Sequence, residues 1–306
     1  MPVRGKDFTV HFVPIEELWP QHRGPNEIAI VFVGYMDESY DGSAVPKVFN
    51  LSCLVSSITG WIYFEWDWLK ILEDKNQELR RQGRKELSRF HAKNINNFAE
   101  EYKDWSPSER LEFCTKLTEV FGRNPVHIHG WDMPVQTLVE EIPETSPNPV
   151  GFAYVMLLGE LMQQIGETTL SLPNYRGDLI SLHHDTCKYD AALLEYFNLL
   201  LEDRSFQFRE RFTSITPERW QFCAPLQPAD LVAYENFKEG MRFHVKDSKE
   251  AKRNRMRKSL EAIINLDSIS GRARTYTREM IQALKEKLDK DPETKSAIFK
   301  AARIHN

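Results

Sequence analysis

The run Glu27 to Met36, EIAIVFVGYM, is the stretch that most narrows what this chain can fold into. It is nearly unbroken in apolar and β-branched residues and is of strand length. That is the pattern of a central strand buried on both faces, since a half-exposed strand would alternate. It closes on Asp37-Glu38-Ser39. The next segment, Tyr40 to Pro46 (YDGSAVP), holds Asp-Gly and Pro, so a turn is expected there, with a second strand returning over Val48 to Ser57. The reading is a hairpin with acids at its turn.

Behind the hairpin the periodicity changes. With Thr59 as a plausible N-cap, Trp61, Phe64, Trp68, Leu69, Leu72 and Leu79 recur at helical spacing, and the pattern stops near Gly83. Ser106-Pro107 followed by Glu109 starts a second helix that carries Leu111, Phe113, Leu117 and Val120. Val126 to Trp131 reads as a short strand, Ile142 to Pro149 as a loop, and Phe152 to Ile165 as an apolar helix. Asp178 to Asp185 (DLISLHHD) reads as a strand and Ala191 to Leu201 as a helix. Phe212 to Cys223 is a weaker strand or hairpin, and Pro228 stands where the first turn of a helix through Asp230, Leu231 and Tyr234 would be. Alternating strands and helices predict an α/β fold, a mixed sheet with helices on both faces. The expected division is a domain over 1–245, with a helical insertion around 60–121, and a charged helical C-terminal appendage over 246–306.

At 306 residues, about 75% of the unfolded chain's surface can be buried, so no disulfide or metal staple is needed to hold a core. Cys53, Cys114, Cys187 and Cys223 are scattered without a C-x-x-C pair and read as reduced, buried thiols. The longest apolar stretch, Pro149 to Leu158, is far short of the ~20 residues that span a bilayer, and MPVRGKDFTVHF lacks a signal-peptide core. A cytoplasmic protein without a membrane partner is the expectation.

The net charge of −5 excludes an indiscriminate polyanion binder, but it is an average. Between Arg242 and Lys258 stand eight cations (Arg242, Lys246, Lys249, Lys252, Arg253, Arg255, Arg257 and Lys258) against two acids, which gives that segment +6 and leaves −11 on the rest. Such a run can grip nucleic-acid phosphates, and if helical from Lys246 to Lys258 it would be ~20 Å long. Equally, charge runs are often only solvated helix faces.

Three carboxylates stand where solvated acids usually do not. Asp37 and Asp185 each end an apolar strand, and Asp230 lies in the first turn of a helix. Active sites of open α/β sheets gather at strand ends, and clustered buried acids usually share a cation. All-oxygen donors favour Mg²⁺ or Mn²⁺ over zinc. Taken singly, each acid also has a plain role: Asp37 in a turn, Asp185 as a helix cap, Asp230 against a helix dipole.

Together with the hairpin strand NLSCLVS, the element Phe90-His91-Ala92 and the late segment Pro225-Leu226-Gln227-Pro228-Ala229-Asp230-Leu231-Val232-Ala233, the Asp37-Glu38-Ser39 ending resembles the bacterial family called domain of unknown function 3800. The resemblance covers roughly residues 27 to 245, and Leu-Gln-x-Ala-Asp is its more specific part. It implies a ribonuclease H-like fold in which Asp37, Asp185 and Asp230 hold Mg²⁺ or Mn²⁺, with Glu38 as a fourth acid and His91 contacting substrate or shuttling a proton. The family's usual Gly after Asp-Glu-Ser is Tyr40 here. On a continuing strand Glu38 would face away from Asp37, so it joins the site only if the chain turns there. The implied activity is a metal-dependent nuclease that cuts RNA or DNA by water attack. Two alternatives stand beside it: a non-catalytic module of the same fold that binds nucleic acid or protein, and a zinc hydrolase built on His127, His129 and His183, with His184 next to Asp185.

Overall fold

The structure is a computed structural model that describes residues 31–171, 179–249, 251–253, 256–265 and 270–303. Glu27 to Ile30, Asp178 and Arg255 of the sequence reading lie outside these residues, as does the side chain of Arg253. In chain order the elements are β1 (Val31–Tyr40), β2 (Phe49–Ser57), α1 (Ile58–Arg81), α2 (Ala92–Asn97), α3 (Pro107–Arg123), β3 (His127–Met133), α4 (Val135–Glu141), α5 (Pro149–Ser171), β4 (Leu179–Asp185), α6 (Asp190–Glu202), β5 (Phe212–Glu218), α7 (Leu226–His244), α8 (Lys258–Ile264), β6 (Ser270–Thr275), α9 (Arg278–Lys290) and α10 (Pro292–Ala301).

One mixed sheet runs in the order β5-β4-β1-β2-β3-β6. β1, β2 and β3 form an antiparallel meander, β4 and β5 extend it in parallel on the β1 side, and β6 adds in parallel to β3. The apolar β1 run is central, and its residues alternate between the two layers. Phe32 and Met36 enter the core formed with α4, α5, α6, α9 and α10. Val33 and Tyr35 pack against the core formed with α1, α3, α7 and α8. Ser57 and Ser106 cap α1 and α3 by accepting from the amides of Gly60 and Glu109. Among the helices of the described residues, none is long and apolar enough to cross a membrane.

Two expectations change. The first strand does not stop at Asp37: it continues to Tyr40 because β2 keeps pairing, through Asp37 with Ser52, Glu38 with Leu51, Ser39 with Asn50 and Tyr40 with Phe49. The turn comes after it, where Asp41 Oδ1 accepts from Ser43 and Gly42 adopts φ +83°. The C-terminal stretch is not purely helical either. Residues 270–275 form β6 on the edge of the central sheet, although SGRART has no apolar alternation.

Helix α7 lies close on the sheet because two facing positions lack a Cβ. A methyl on Gly130 of β3 would come within 2.6 Å of Asn236 Nδ2, and one on Gly240 of α7 within 2.8 Å of Asp132 Cγ. Beneath the helix runs a buried polar chain. Asn236 Nδ2 donates to Ser52 Oγ at 2.9 Å, Ser52 Oγ to Asn50 Oδ1 at 2.8 Å, and Asn50 Nδ2 to Asp132 Oδ1 at 2.8 Å. This seating fixes where the first turn of α7 delivers Asp230.

Candidate metal centre

The pairing of β1 with β4 ends at Met36 with His184. One residue further, the same register sets Asp37 beside Asp185 on neighbouring strands, spaced about 4.8 Å apart. Both belong to the face under α7, because alternation places Asp37 with Val33 and Tyr35, and Asp185 with Ser181 and His183. Asp230 reaches them from the first turns of α7. The three acids, with Glu38 and His91, line one cavity of about 290 Å³. All five site residues expected from the sequence therefore meet.

Two short segments far apart in sequence lock the front wall. Gln227 Oε1 accepts from the amide of Phe90 at 2.8 Å and from Trp68 Nε1 at 3.3 Å. Asp230 Oδ2 accepts from the amide of Ala92 at 2.8 Å and lies 2.8 Å from His91 Nδ1. A carboxylate oxygen already taking an amide proton has none to give, so His91 Nδ1–H donates to it. Phe90, almost fully buried and edge-on to Trp68 with centroids 5.7 Å apart, anchors the loop in the core. Tyr102 Oη donates to the Arg89 carbonyl at 3.0 Å and ties down the same loop.

The electrostatics single out Asp37. Burial first, then the charges of Asp230, Glu38 and Asp185, push its carboxyl well above the usual range, against one hydrogen bond from the Glu38 amide at 3.0 Å. Burial also raises Asp185, although the amides of Trp220 and Thr186 and the Arg89 guanidinium work against the rise. Glu38 behaves as a continuing strand requires. It takes the face opposite Asp37, where its Oε2 accepts from Tyr154 Oη at 3.0 Å, yet it still borders the cavity, so the turn expected as the condition for its joining the site is not needed. Burial pushes it up to about 7 despite that bond.

The sequence reading misses Arg89, Lys93, Trp220, Gln227 and Tyr234, which also line the cavity. The Arg89 guanidinium stacks 3.9 Å from the centroid of Trp220. Two of the five flank Phe90-His91-Ala92 in sequence, and Gln227 sits in the Leu-Gln-x-Ala-Asp segment, which was the available signal.

The donor set suits a hard divalent cation by chemistry, being carboxylate oxygen throughout. Its spacing is wider than a single-ion grip. Among the described residues, the one group of His, Cys, Asp and Glu whose ligand atoms all lie within 4.8 Å of one another is His184, Cys187 and Asp190. That trio is already satisfied locally. Asp190 Oδ1 accepts from the Cys187 amide at 2.8 Å, and His184 Nδ1–H donates to the Asp185 carbonyl at 3.0 Å.

The histidine site expected as a competitor does not assemble. His127 and His129 are on β3 and His183 on β4, with β1 and β2 between them, which separates those strands by about 14 Å. His183 also faces the other side of the sheet, bonded to Ser181 Oγ at 3.0 Å and Glu218 Oε1 at 3.2 Å. His129 is buried with no hydrogen-bond partner on either ring nitrogen, and burial drives its pKa down to about 3.

The basic run is not one helix in the described residues. It divides into the end of α7, a short turn at Ala251–Arg253 and the start of α8. Arg242 pairs with Glu239, and Arg257 Nε lies 2.6 Å from the buried Glu235. Lys246, Lys249, Lys252 and Lys258 are exposed. No family model, no curated protein and no solved structure matches the chain.

Proposed function

We propose that this protein is a Mg²⁺- or Mn²⁺-dependent phosphodiesterase of ribonuclease H-like fold that cuts RNA or DNA. The observation that carries the reading is the crowding at Asp37: several carboxylates from β1, β4 and α7 converge on one cavity, and Asp37 is driven toward its neutral form first by burial and then by the charges of the others. Within a protein, that arrangement is relieved by a shared divalent cation. The sheet supports it, as a meander extended on the β1 side by two parallel strands with the acids at the strand ends.

Asp37, Asp185 and Asp230, spaced more widely than a single-ion grip, would hold the metal as one ion or a pair, with Asp37 at the centre of the set. Bound there, it supplies an acidified water and offsets the charge that develops on a phosphate under in-line attack. The chain's own groups do the rest. His91 and the Ala92 amide occupy Asp230 Oδ2 and so leave Oδ1 as the atom for coordination. With Nδ1 engaged by Asp230, Nε2 is the His91 nitrogen left to exchange a proton or meet a substrate oxygen. Arg89, braced on Trp220, and Lys93 place positive charge on the cavity wall, where a phosphate would be drawn in.

The test is a panel of labelled single-stranded, double-stranded and hybrid DNA and RNA with Mg²⁺ or Mn²⁺, comparing wild type with Asp37→Asn and Asp230→Asn. Cleavage by wild type and its loss in both variants is expected. A wild type that cuts nothing on the panel, or variants that cut equally well, would overturn the assignment.

A further inference from the structure

A second cavity, of about 330 Å³, opens beside the acidic one, and Tyr234 of α7 lines both. Its described walls carry Arg110, Lys238, Lys249 and Arg257 with the amides of Asn96 and Asn97, and no carboxylate. Arg257 is answered by the buried Glu235 behind the wall, and the cavity itself still gathers four cations in a chain of net charge −5.

The two guanidiniums are held in advance. Arg257 is fixed by Glu235 at 2.6 Å and by Asn96 Oδ1, to which its Nη2 donates at 2.6 Å. The Asn96 contact uses one of the five N–H donors a guanidinium has, and the Glu235 contact is an ion pair without a hydrogen bond. Arg110 stacks 4.7 Å from the centroid of Phe98 and donates to the Asn96 carbonyl at 3.3 Å. Planar, braced guanidiniums with donors to spare are what bidentate phosphate recognition uses, and lysines add adjustable charge around them.

We infer that this basic cavity is a phosphate site that holds a second phosphate of the strand cut at the acidic cavity. The link between the two is one helix face. Asp230, Tyr234 and Lys238 recur at i, i+4 and i+8 on α7, a distance of about 12 Å along the axis. Asp230 serves the acids, Tyr234 separates the cavities and Lys238 serves the cations. A ligand lying along that face meets a cation-seeking site and an anion-seeking site in turn. The phosphate is either an internal diester or a terminal monoester, since both offer the same oxygens.

The identity of the ligand rests on the nuclease reading, whereas the anion site does not. The test is therefore run without metal. Fluorescein-labelled short single-stranded DNA and RNA, with 5′-phosphate, 3′-phosphate or hydroxyl ends, is titrated in EDTA against wild type, Lys238→Ala/Lys249→Ala, Lys238→Arg/Lys249→Arg and Asp37→Asn. The alanine pair is expected to bind about tenfold more weakly or worse, with the slope of log affinity against log salt reduced by roughly two. The arginine pair keeps its charge and is expected to keep binding, which separates lost contact from lost fold. Asp37→Asn is expected to bind at least as tightly as wild type, so that failed cleavage and failed binding are distinguishable. Tighter binding of a phosphorylated end assigns the monoester, and equal binding of all ends assigns the diester. No binding by wild type at low salt, or an alanine pair with unchanged affinity and salt slope, overturns the inference.

Discussion

Two donor sets meet at the ends of β1 and β4, one on each face of the sheet. On the α7 face, Asp37, Asp185 and Asp230 present only carboxylate oxygen. On the α5 face, just past the strand, His184, Cys187 and Asp190 present nitrogen, sulfur and oxygen within 4.8 Å of one another. By spacing alone the second set looks the better metal site. By satisfaction it is the worse one. Its amide and imidazole protons already have acceptors within a single loop, and burial followed by the nearby Glu38 charge pushes the Cys187 thiol up to about 12, far from the thiolate a metal needs. The acids on the other face have the opposite balance, with negative charge in excess of what the surrounding N–H groups answer. Close approach reports packing, and unanswered charge reports a missing ligand.

The most severe way to break this comparison is to remove the centre of the acidic set. Asp37→Asn keeps the shape and loses the charge, and cleavage is expected to fall by about a hundredfold or more, because a lost metal contact takes several kcal/mol from the transition state. Single-turnover kinetics on whichever substrate the wild type cuts would measure it. Thermal unfolding with and without Mn²⁺ then compares the faces directly. At about a hundred times its dissociation constant, the ion should stabilise wild type by about 2.7 kcal/mol. That gain should vanish in Asp37→Asn and survive in Cys187→Ser. The reverse result would assign the metal to the His-Cys-Asp trio.

Gln227 sharpens the same contrast one layer out, because it holds the wall of the acidic set and touches nothing of the other. In Gln227→Leu the Phe90 amide and the Trp68 indole lose their acceptor in a buried setting. A loss of about 1–3 kcal/mol is expected in urea unfolding, accompanied by weaker Mn²⁺ binding as the Ala92 amide and His91 release Asp230.

How much of this was legible in the sequence follows from how local each signal is. Strand periodicity needs only neighbouring residues, so β1, β2 and β4 stand out with the acids that end β1 and β4, and Ser106 marked α3, whereas α1 is capped by Ser57, two residues before the Thr59 expected to cap it. Glu38 was readable only as a condition, since its side depends on whether β2 keeps pairing past Asp37. How the basic run is arranged was not readable, because its counter-charges, Glu235 and Glu239, come from the helix in which it begins, and like charges in sequence need not share one helix face. The partners in the basic cavity, Arg110 and Lys238, belong to separate helices and leave no local pattern. β6 has no apolar alternation, and only the free edge of β3 makes it a strand. The Gln227 and Asp230 contacts to residues 90–92 exist only once α7 is seated on Gly130.

Asp132 supplies the smallest effect and the control for the whole comparison, being a buried carboxylate that the fold does answer. It accepts from Asn50 Nδ2 at 2.8 Å, yet burial pushes it up to about 8, with Glu239 adding to the rise. An acid whose pKa is raised on folding stabilises the fold fully below its ordinary range and loses that contribution as pH rises through the folded value. For Asp132 the window runs from about 4 to about 8. Asp132→Asn keeps an acceptor for Asn50 and has no proton to lose. Its stability relative to wild type should therefore rise across that window, by about 1.4 kcal/mol for the single pH unit between pH ~5 and pH ~6 in urea unfolding. Mn²⁺ should leave that difference untouched, because Asp132 already has its partner and is not one of the acids lining the metal cavity. A difference that collapses when Mn²⁺ is added would place Asp132 among the metal-linked acids and remove the distinction between answered and unanswered carboxylates.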